Sequence, residues 1–352
     1  MKIYCIKLDT MQYDSNVPLL NEIIQGDIHR MVSGCYTIST CAMQFTGCLA
    51  SQLEGGFGHW LWKDRLNASN EVVWPWRDKL VFHYLKTKGY KLHLRNWTEF
   101  VTHFGLQNIF DFVSSILDGT DDGYVFPCRW ISEQALRCTL SQPPAFEEKE
   151  IAYIKKIQKD VGDNFYFINY NHHHIACQWG AIKTDLIEKQ KIANINIQNL
   201  IKHWDFNEPD SLFWIYGDHG PWFNPTLDEF PLPIHFYTWA IIKDNTQDKI
   251  KAPKRIHITD FVSHIKHKID KVEIQNRDIF LSEDGRDTCT PKSTSTAIAC
   301  SFIDDTMLFL EYHLLTNTWK QFVFDENGIC QVDEINVILK EAIKTNFNWV
   351  PI

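Results

Sequence analysis

The chain has no CxxC pair and no paired cysteine framework, although 10 of its 352 residues are Cys. That excludes a zinc ribbon, a thioredoxin-like redox motif and a small disulfide-stapled scaffold. It has no window of about 20 apolar residues, so no membrane span is expected. Basic residues are few: 35 Lys and Arg face 44 Asp and Glu, the net charge is −9, and no basic run occurs. An electrostatic footprint for nucleic acid is therefore excluded. The first residues, MKIYCIKLD, are strand-like at once, with no charged region leading into an apolar stretch and a cleavage site. The expectation is a cytoplasmic protein with reduced thiols. There is no internal repeat and no low-complexity linker, which excludes a solenoid and a flexibly tethered array.

What is present is the composition of a globular enzyme-sized domain. Hydrophobic residues make up 44% and aromatics 14%, with 13 Trp, enough for a large core. Residues 2–8 (KIYCIKL), 164–169 (NFYFIN), 211–216 (SLFWIY) and 233–243 (PIHFYTWAIIK) read as strands. Helical patterns occupy 39–53, 77–87, 97–118, 146–159, 182–203 and 259–270. Alternating strands and helices predict a mainly parallel sheet sandwiched by helices. The texture changes near residue 273. RDIFLSEDG, TAIACSFID, TMLFLEYHL and WKQFVFDENG follow in close succession, then a helix near 333–345. The expected division is a 1–272 α/β core and a smaller 273–352 antiparallel β lobe with a terminal helix.

Chemistry concentrates where apolar runs stop. Asp9 ends the first strand, and Asp218 and His219 end the run FWIYG. Ligand sites of open α/β sheets lie beyond the carboxyl ends of parallel strands, so these residues are expected at one edge. Each Asp alone is also an ordinary turn former. A third segment, Thr37 to Gly47 (TISTCAMQFTG), carries hydroxyls into a helix start. A helix N-terminus favours an anionic ester, and also simply favours Ser or Thr as a cap. A Thr hydroxyl becomes a competent nucleophile when metal coordination lowers its pKa. Asp9, Thr37, Asp218 and His219 together make a hard, oxygen-rich ligand set suited to manganese, calcium or zinc.

These segments resemble the sulfatase-like branch of the alkaline phosphatase superfamily. Leu8 to Asp14 (LDTMQYD) is similar to its opening motif, with Gln12 at the usual Arg. Thr37 to Gly47 resembles its nucleophile signature, anchored on Thr46-Gly47, and Tyr216-Gly217-Asp218-His219-Gly220 resembles its second metal motif. The resemblance implies an alkaline phosphatase-like fold with Thr37 as nucleophile. It implies one divalent metal on Asp9, Thr37, Asp218 and His219. His172 and His174, in NYNHHH, take the place of a His that binds the oxyanion or protonates the leaving group. The triple His also leaves room for a second metal. Lys63 and Arg65 stand where related enzymes place anion-binding cations; Arg286 and Lys292 are candidates to reach the substrate from the second lobe. Trp60, Trp62, Trp74 and Trp76 suit either core packing or a sugar cleft.

Thr37 is not a residue that formylglycine sulfatases convert, and the Pro and Arg of their signature are replaced by Ser39 and Cys41. The pattern is closer to the phosphoryl-transferring members: lipoteichoic acid synthases, phosphoethanolamine transferases, phosphodiesterases and phosphonate hydrolases. The expected function is metal-dependent hydrolysis or transfer of phosphoesters. The substrate would be a small anionic ester, carbohydrate- or lipid-headgroup-linked. A sulfatase working without formylglycine and a non-catalytic binding protein of this fold are the alternatives.

Overall fold

The computed structural model describes residues 1–9, 11, 16–35, 37–49, 52–53, 79–96, 109–114, 144–170, 183–220, 233–284, 296–314, 316–347 and 350–351. For 37–39, 144–146, 183–190, 233–234 and 284 only the backbone is described.

Among the described residues the central sheet has eight strands: β1 (Lys2–Leu8), β2 (Asp27–Val32), β3 (Lys91–Arg95), β4 (Phe112–Ser114), β5 (Asn164–Tyr170), β6 (Ser211–Gly217), β7 (Tyr237–Asp244) and β8 (Arg255–His257). Their order is β4-β3-β5-β1-β6-β7-β2-β8. Only β7 runs against the others; it pairs antiparallel with both β6 and β2. β1 lies between β5 and β6, parallel to both, with Leu8 level with Tyr170 and Gly217. Every residue of β1, β5 and β6 is buried, the signature of central parallel strands covered on both faces.

Alternation along β1 sorts its side chains. Tyr4, Ile6 and Leu8 join one apolar cluster with β5 and β6 and with α1 (Asn16–Ile24), α4 (Pro144–Ile157) and α5 (Lys183–Ile201). Ile3 and Cys5 join the other, which holds α2 (Thr37–Thr46), α3 (Val81–Thr87) and α7 (Asp260–Asp270). Trp214 and Tyr216 of β6 belong to this second face as well. Lys7 and Asp9 continue the parity of Ile3 and Cys5, and Asp218 continues that of Trp214 and Tyr216. The polar ends of two strands therefore project toward α2.

A second sheet is antiparallel, in the order β13-β12-β11-β10-β9. It comprises β9 (Ile279–Asp284), β10 (Thr296–Ile303), β11 (Thr306–His313), β12 (Thr318–Asp325) and β13 (Gly328–Val332), followed by α8 (Val337–Asn346). Ala297, Ala299 and Leu310 of this sheet and Leu339 and Ile343 of α8 share the α2-side core. A further cluster joins Val32, Cys35 and Phe236 to Phe280, Ile298 and Phe309. The fold is thus α/β with a mainly parallel sheet and a second antiparallel sheet, as expected.

Three element readings change. Residues 112–114, inside an expected helix, form β4, held by parallel pairing with β3. The expected strand at 233–243 opens as a short helix α6 (Pro233–Phe236) before β7. The expected helix at 39–53 begins at Thr37 and ends at Thr46, because Gly47 takes φ +72° and turns the chain away. Among the described residues no helix is long and apolar enough to cross a membrane.

Candidate metal centre

Asp9, Asp218 and His219 come together at the carboxyl edge of β1 and β6. One potential ligand atom from each lies within 4.8 Å of the others. Oxygen and nitrogen donors bound to one ion at about 2.0–2.6 Å can span such separations. The three are almost sealed from solvent, with Asp218 0%, His219 3% and Asp9 4% exposed. Buried carboxylates require a cation or hydrogen-bond donors.

Local geometry explains how they meet. The Asp9 amide donates to the Tyr170 carbonyl (3.0 Å), tying the end of β1 to the end of β5. Met11 then folds back: its amide donates to Leu8 (3.2 Å), and its carbonyl accepts from Trp239 Nε1 (2.9 Å). The Met11 carbonyl passes directly over Gly217. A Cβ built on Gly217 would lie 2.2 Å from that oxygen, so only glycine admits the crossing. Thr238 Oγ1 donates to the Gly217 carbonyl (2.8 Å) and fixes the strand just before Asp218.

Within the cluster, the His219 amide donates to Asp218 Oδ1 (3.0 Å). His219 Nδ1 lies 2.8 Å from the Gly220 carbonyl. A carbonyl only accepts, so this bond assigns the Nδ1–H tautomer to the neutral ring and leaves the Nε2 lone pair for a ligand role. A His whose other nitrogen donates to a carbonyl is the usual arrangement at a metal centre. The donor set fits a divalent cation of the oxygen-preferring or zinc type.

The fourth member of the cluster was not among the residues expected from the sequence. Lys7 is fully buried, and its Nζ lies 2.5 Å from Asp9 Oδ2 and 3.3 Å from Asp218 Oδ2. Burial alone would push its ammonium down, but the Asp218 and Asp9 carboxylates outweigh that and hold it above its ordinary value. The available signal was its position: a lysine inside an apolar strand, two residues before Asp9 and so on the same face.

The first turn of α2 closes the site. Thr40 Oγ1 donates to the carbonyls of Gly34 (3.1 Å) and Asp218 (3.3 Å). Thr37 begins this helix, one turn before Thr40; its side chain lies outside the described ones. Cys41, where the sulfatase signature that this segment resembles has Arg, is buried, and burial pushes its thiol far up, which keeps it from being a thiolate. Behind it Tyr216 donates to Gln44 Oε1 (2.5 Å), and Gln44 Nε2 donates to Cys5 Sγ (3.3 Å). The second sheet reaches the turn before α2: Ser282 Oγ donates to the Ser33 carbonyl (2.5 Å), and the Cys35 amide to the Glu283 carbonyl (3.4 Å).

His172, His174, Lys63, Arg65, Arg286 and Lys292 lie outside the described residues, as do Trp60, Trp62, Trp74 and Trp76.

This architecture, a mainly parallel sheet delivering acidic residues and a histidine to one edge beneath a helix start, is the alkaline phosphatase-like fold, in agreement with the motif resemblance. A protein in the alkaline phosphatase superfamily from Vibrio parahaemolyticus matches it with a TM-score of 0.58 at 14% identity, over 99% of this chain and 88% of that one. The lipoteichoic acid synthase LtaP from Listeria monocytogenes matches with a TM-score of 0.52 at 11% identity, over 99% of this chain and 90% of that one. No family model matches the chain, and no curated protein matches it.

Proposed function

We propose that this chain is a metal-dependent hydrolase or transferase of phosphoesters, acting on a small anionic ester through Thr37. The observation that carries this reading is the buried convergence of Asp9, Asp218 and His219 within 4.8 Å, beside the start of α2. Asp9, Asp218 and His219 would hold the ion with Thr37. A divalent ion bound there supplies Lewis acidity, which favours an ionised hydroxyl and draws charge from phosphoryl oxygens. The Thr37 hydroxyl passes its proton to solvent water and attacks phosphorus in line. The Thr37 O–P bond forms as the ester O–P bond breaks, and the leaving alkoxide takes a proton. We assign that proton, or a hydrogen bond to the developing oxyanion, to His172 or His174. The N–H groups opening α2 face the added negative charge. Water, or an acceptor hydroxyl on a carbohydrate or lipid headgroup, then releases the phosphoryl group from Thr37. The fold likeness to a lipoteichoic acid synthase supports keeping an acceptor hydroxyl beside water. Manganese, calcium and zinc are each compatible with the donor set, and the cytoplasmic assignment stays a proposal.

The test is a chelated, metal-restored enzyme assayed in parallel on aryl phosphate, phosphodiester, phosphonate and sulfate esters. Phosphorus esters should turn over only with metal. Thr37→Ala should lose at least about a thousandfold in rate, the scale of removing a nucleophile, while still binding the ion. Asp218→Asn should lose rate and metal together. Undiminished turnover by Thr37→Ala would remove the covalent mechanism. Cleavage of sulfate esters alone would shift the assignment to a sulfatase.

A further inference from the structure

Buried lysines occur at three places in the described fold, and they are not alike. Lys2 Nζ donates to the carbonyls of Gln158 (2.8 Å) and Ile157 (3.4 Å) and pairs with one carboxylate, Glu208 (2.5 Å). Lys268 Nζ pairs with one carboxylate, Asp244 (2.8 Å), and also donates to Thr246 Oγ1 and the Asp248 carbonyl. Both are structural anchors. Lys7 instead reaches two carboxylates, Asp9 and Asp218, and these are the acidic members of the ligand cluster. Both carboxylates thus face one ammonium supplied from within the chain.

We infer that Lys7 is a resident cation of the metal centre: it holds Asp9 and Asp218 aligned, and it weakens the site's affinity for a divalent ion. The inference rests on the metal-site reading above and adds a regulatory property to it. The Lys7 ammonium offsets one unit of the negative charge that the two carboxylates offer. An incoming divalent ion must therefore share its carboxylates with an ammonium and accept that ammonium as a like-charged neighbour. The alignment of the ligands works in the opposite direction, because ordered side chains lose less entropy on binding. Charge wins this comparison. The repulsion between a monovalent and a divalent cation a few ångströms apart in a dry site exceeds the rotamer entropy of two short Asp side chains. The consequence is an enzyme that folds without metal and loads only when the free ion is plentiful.

The experiment compares wild type with Lys7→Met and Lys7→Gln, each stripped by chelator and titrated with Mn²⁺ by calorimetry. Thermal unfolding is followed with and without the ion. Both variants should bind Mn²⁺ at least about tenfold more tightly than wild type. Their melting temperatures should fall on chelation and recover with Mn²⁺ by more than that of wild type. A variant that is folded only with Mn²⁺ is the same result at its limit. Wild type supplies an arm that needs no substitution: it should stay folded in chelator with little change in melting temperature. Unfolding of chelated wild type would overturn the inference. So would equal or weaker Mn²⁺ binding by both folded variants. In that case, if Asp218→Asn still abolished binding, the metal centre would stand and only the role of Lys7 would fall. Absence of Mn²⁺ binding in all forms would remove the metal centre and the inference together.

Discussion

At the scale of single residues the site depends on one position without a side chain. Gly217 lies under the Met11 carbonyl, with Trp239 Nε1 and Thr238 Oγ1 2.9 and 3.0 Å from where a Cβ would sit. Gly217→Ala must push the segment carrying Asp9 away from Asp218. The expected cost is about 3 kcal/mol, at the upper end of core overpacking, with a weaker Mn²⁺ affinity. Urea unfolding and metal titration check both; an unchanged midpoint would show that the crossing yields easily. The sequence motif around Asp218 points to candidate ligands but not to this requirement, since nothing local distinguishes a turn glycine from one crossed by a distant carbonyl. Lys7 is a similar case. Its alternation with Asp9 is legible, but its proximity to Asp218 exists only because β6 pairs beside β1.

At the scale of elements, α2 links the core to the chemistry. Phe45 anchors it, with ring centroids 4.8 Å from Phe82, 4.9 Å from Phe167 and 5.9 Å from Phe261. Edge-to-face and tilted aromatic contacts of this kind add to simple burial. Phe45→Ala should destabilise the protein by about 3–5 kcal/mol and lower turnover beyond what the unfolded fraction explains, because Thr37 and Thr40 ride on the same helix. Chemical denaturation and a rate measured per folded molecule separate the two effects. An activity loss that matches the unfolded fraction would mean that α2 docks rigidly without Phe45. The apolar stripe Ala42, Phe45, Leu49 and Leu53 was readable in the sequence as a helix over 39–53. Its end at Thr46 was not, because Leu49 and Leu53 are also buried and extend the apolar pattern past Gly47. The segment 112–114 also departed from its local pattern, as an edge strand gains its hydrogen bonds from β3 and not from its own turn.

At the scale of the whole molecule, buried histidines set an acid limit. His257 and His264 lie in the core, and burial pushes each ring down to about 3. Their free value is about 6.5. Below that value the unfolded chain takes up two protons that the folded chain refuses, so unfolding is favoured as pH falls. Asp244 acts in the same direction. Burial would raise its carboxyl, but Lys268 and two backbone amides hold it below the ordinary range, a contribution lost at lower pH. Stability should therefore fall steadily from about pH 6.5 toward pH 4, by about 1 kcal/mol per pH unit for each histidine. Among the described residues neither ring nitrogen of His264 has a hydrogen-bond partner, and the ring packs 5.2 Å from Trp214. His264→Leu should thus flatten the pH slope of urea-unfolding free energy by about that amount. An identical slope would show that the ring takes up its proton in the folded state.

The sequence alone determined the class of fold, because apolar runs with period-two or helical spacing follow from local chemistry, and it located Asp9, Asp218 and His219, because acidic residues that end buried strands stand out against them. Tertiary structure alone decided that β1 and β6 are neighbours, that Met11 crosses Gly217, and that a lysine sits between the Asp9 and Asp218 carboxylates. Those facts depend on strand order and on contacts between residues some two hundred positions apart, such as Lys7 and Asp218, and no local pattern carries that information.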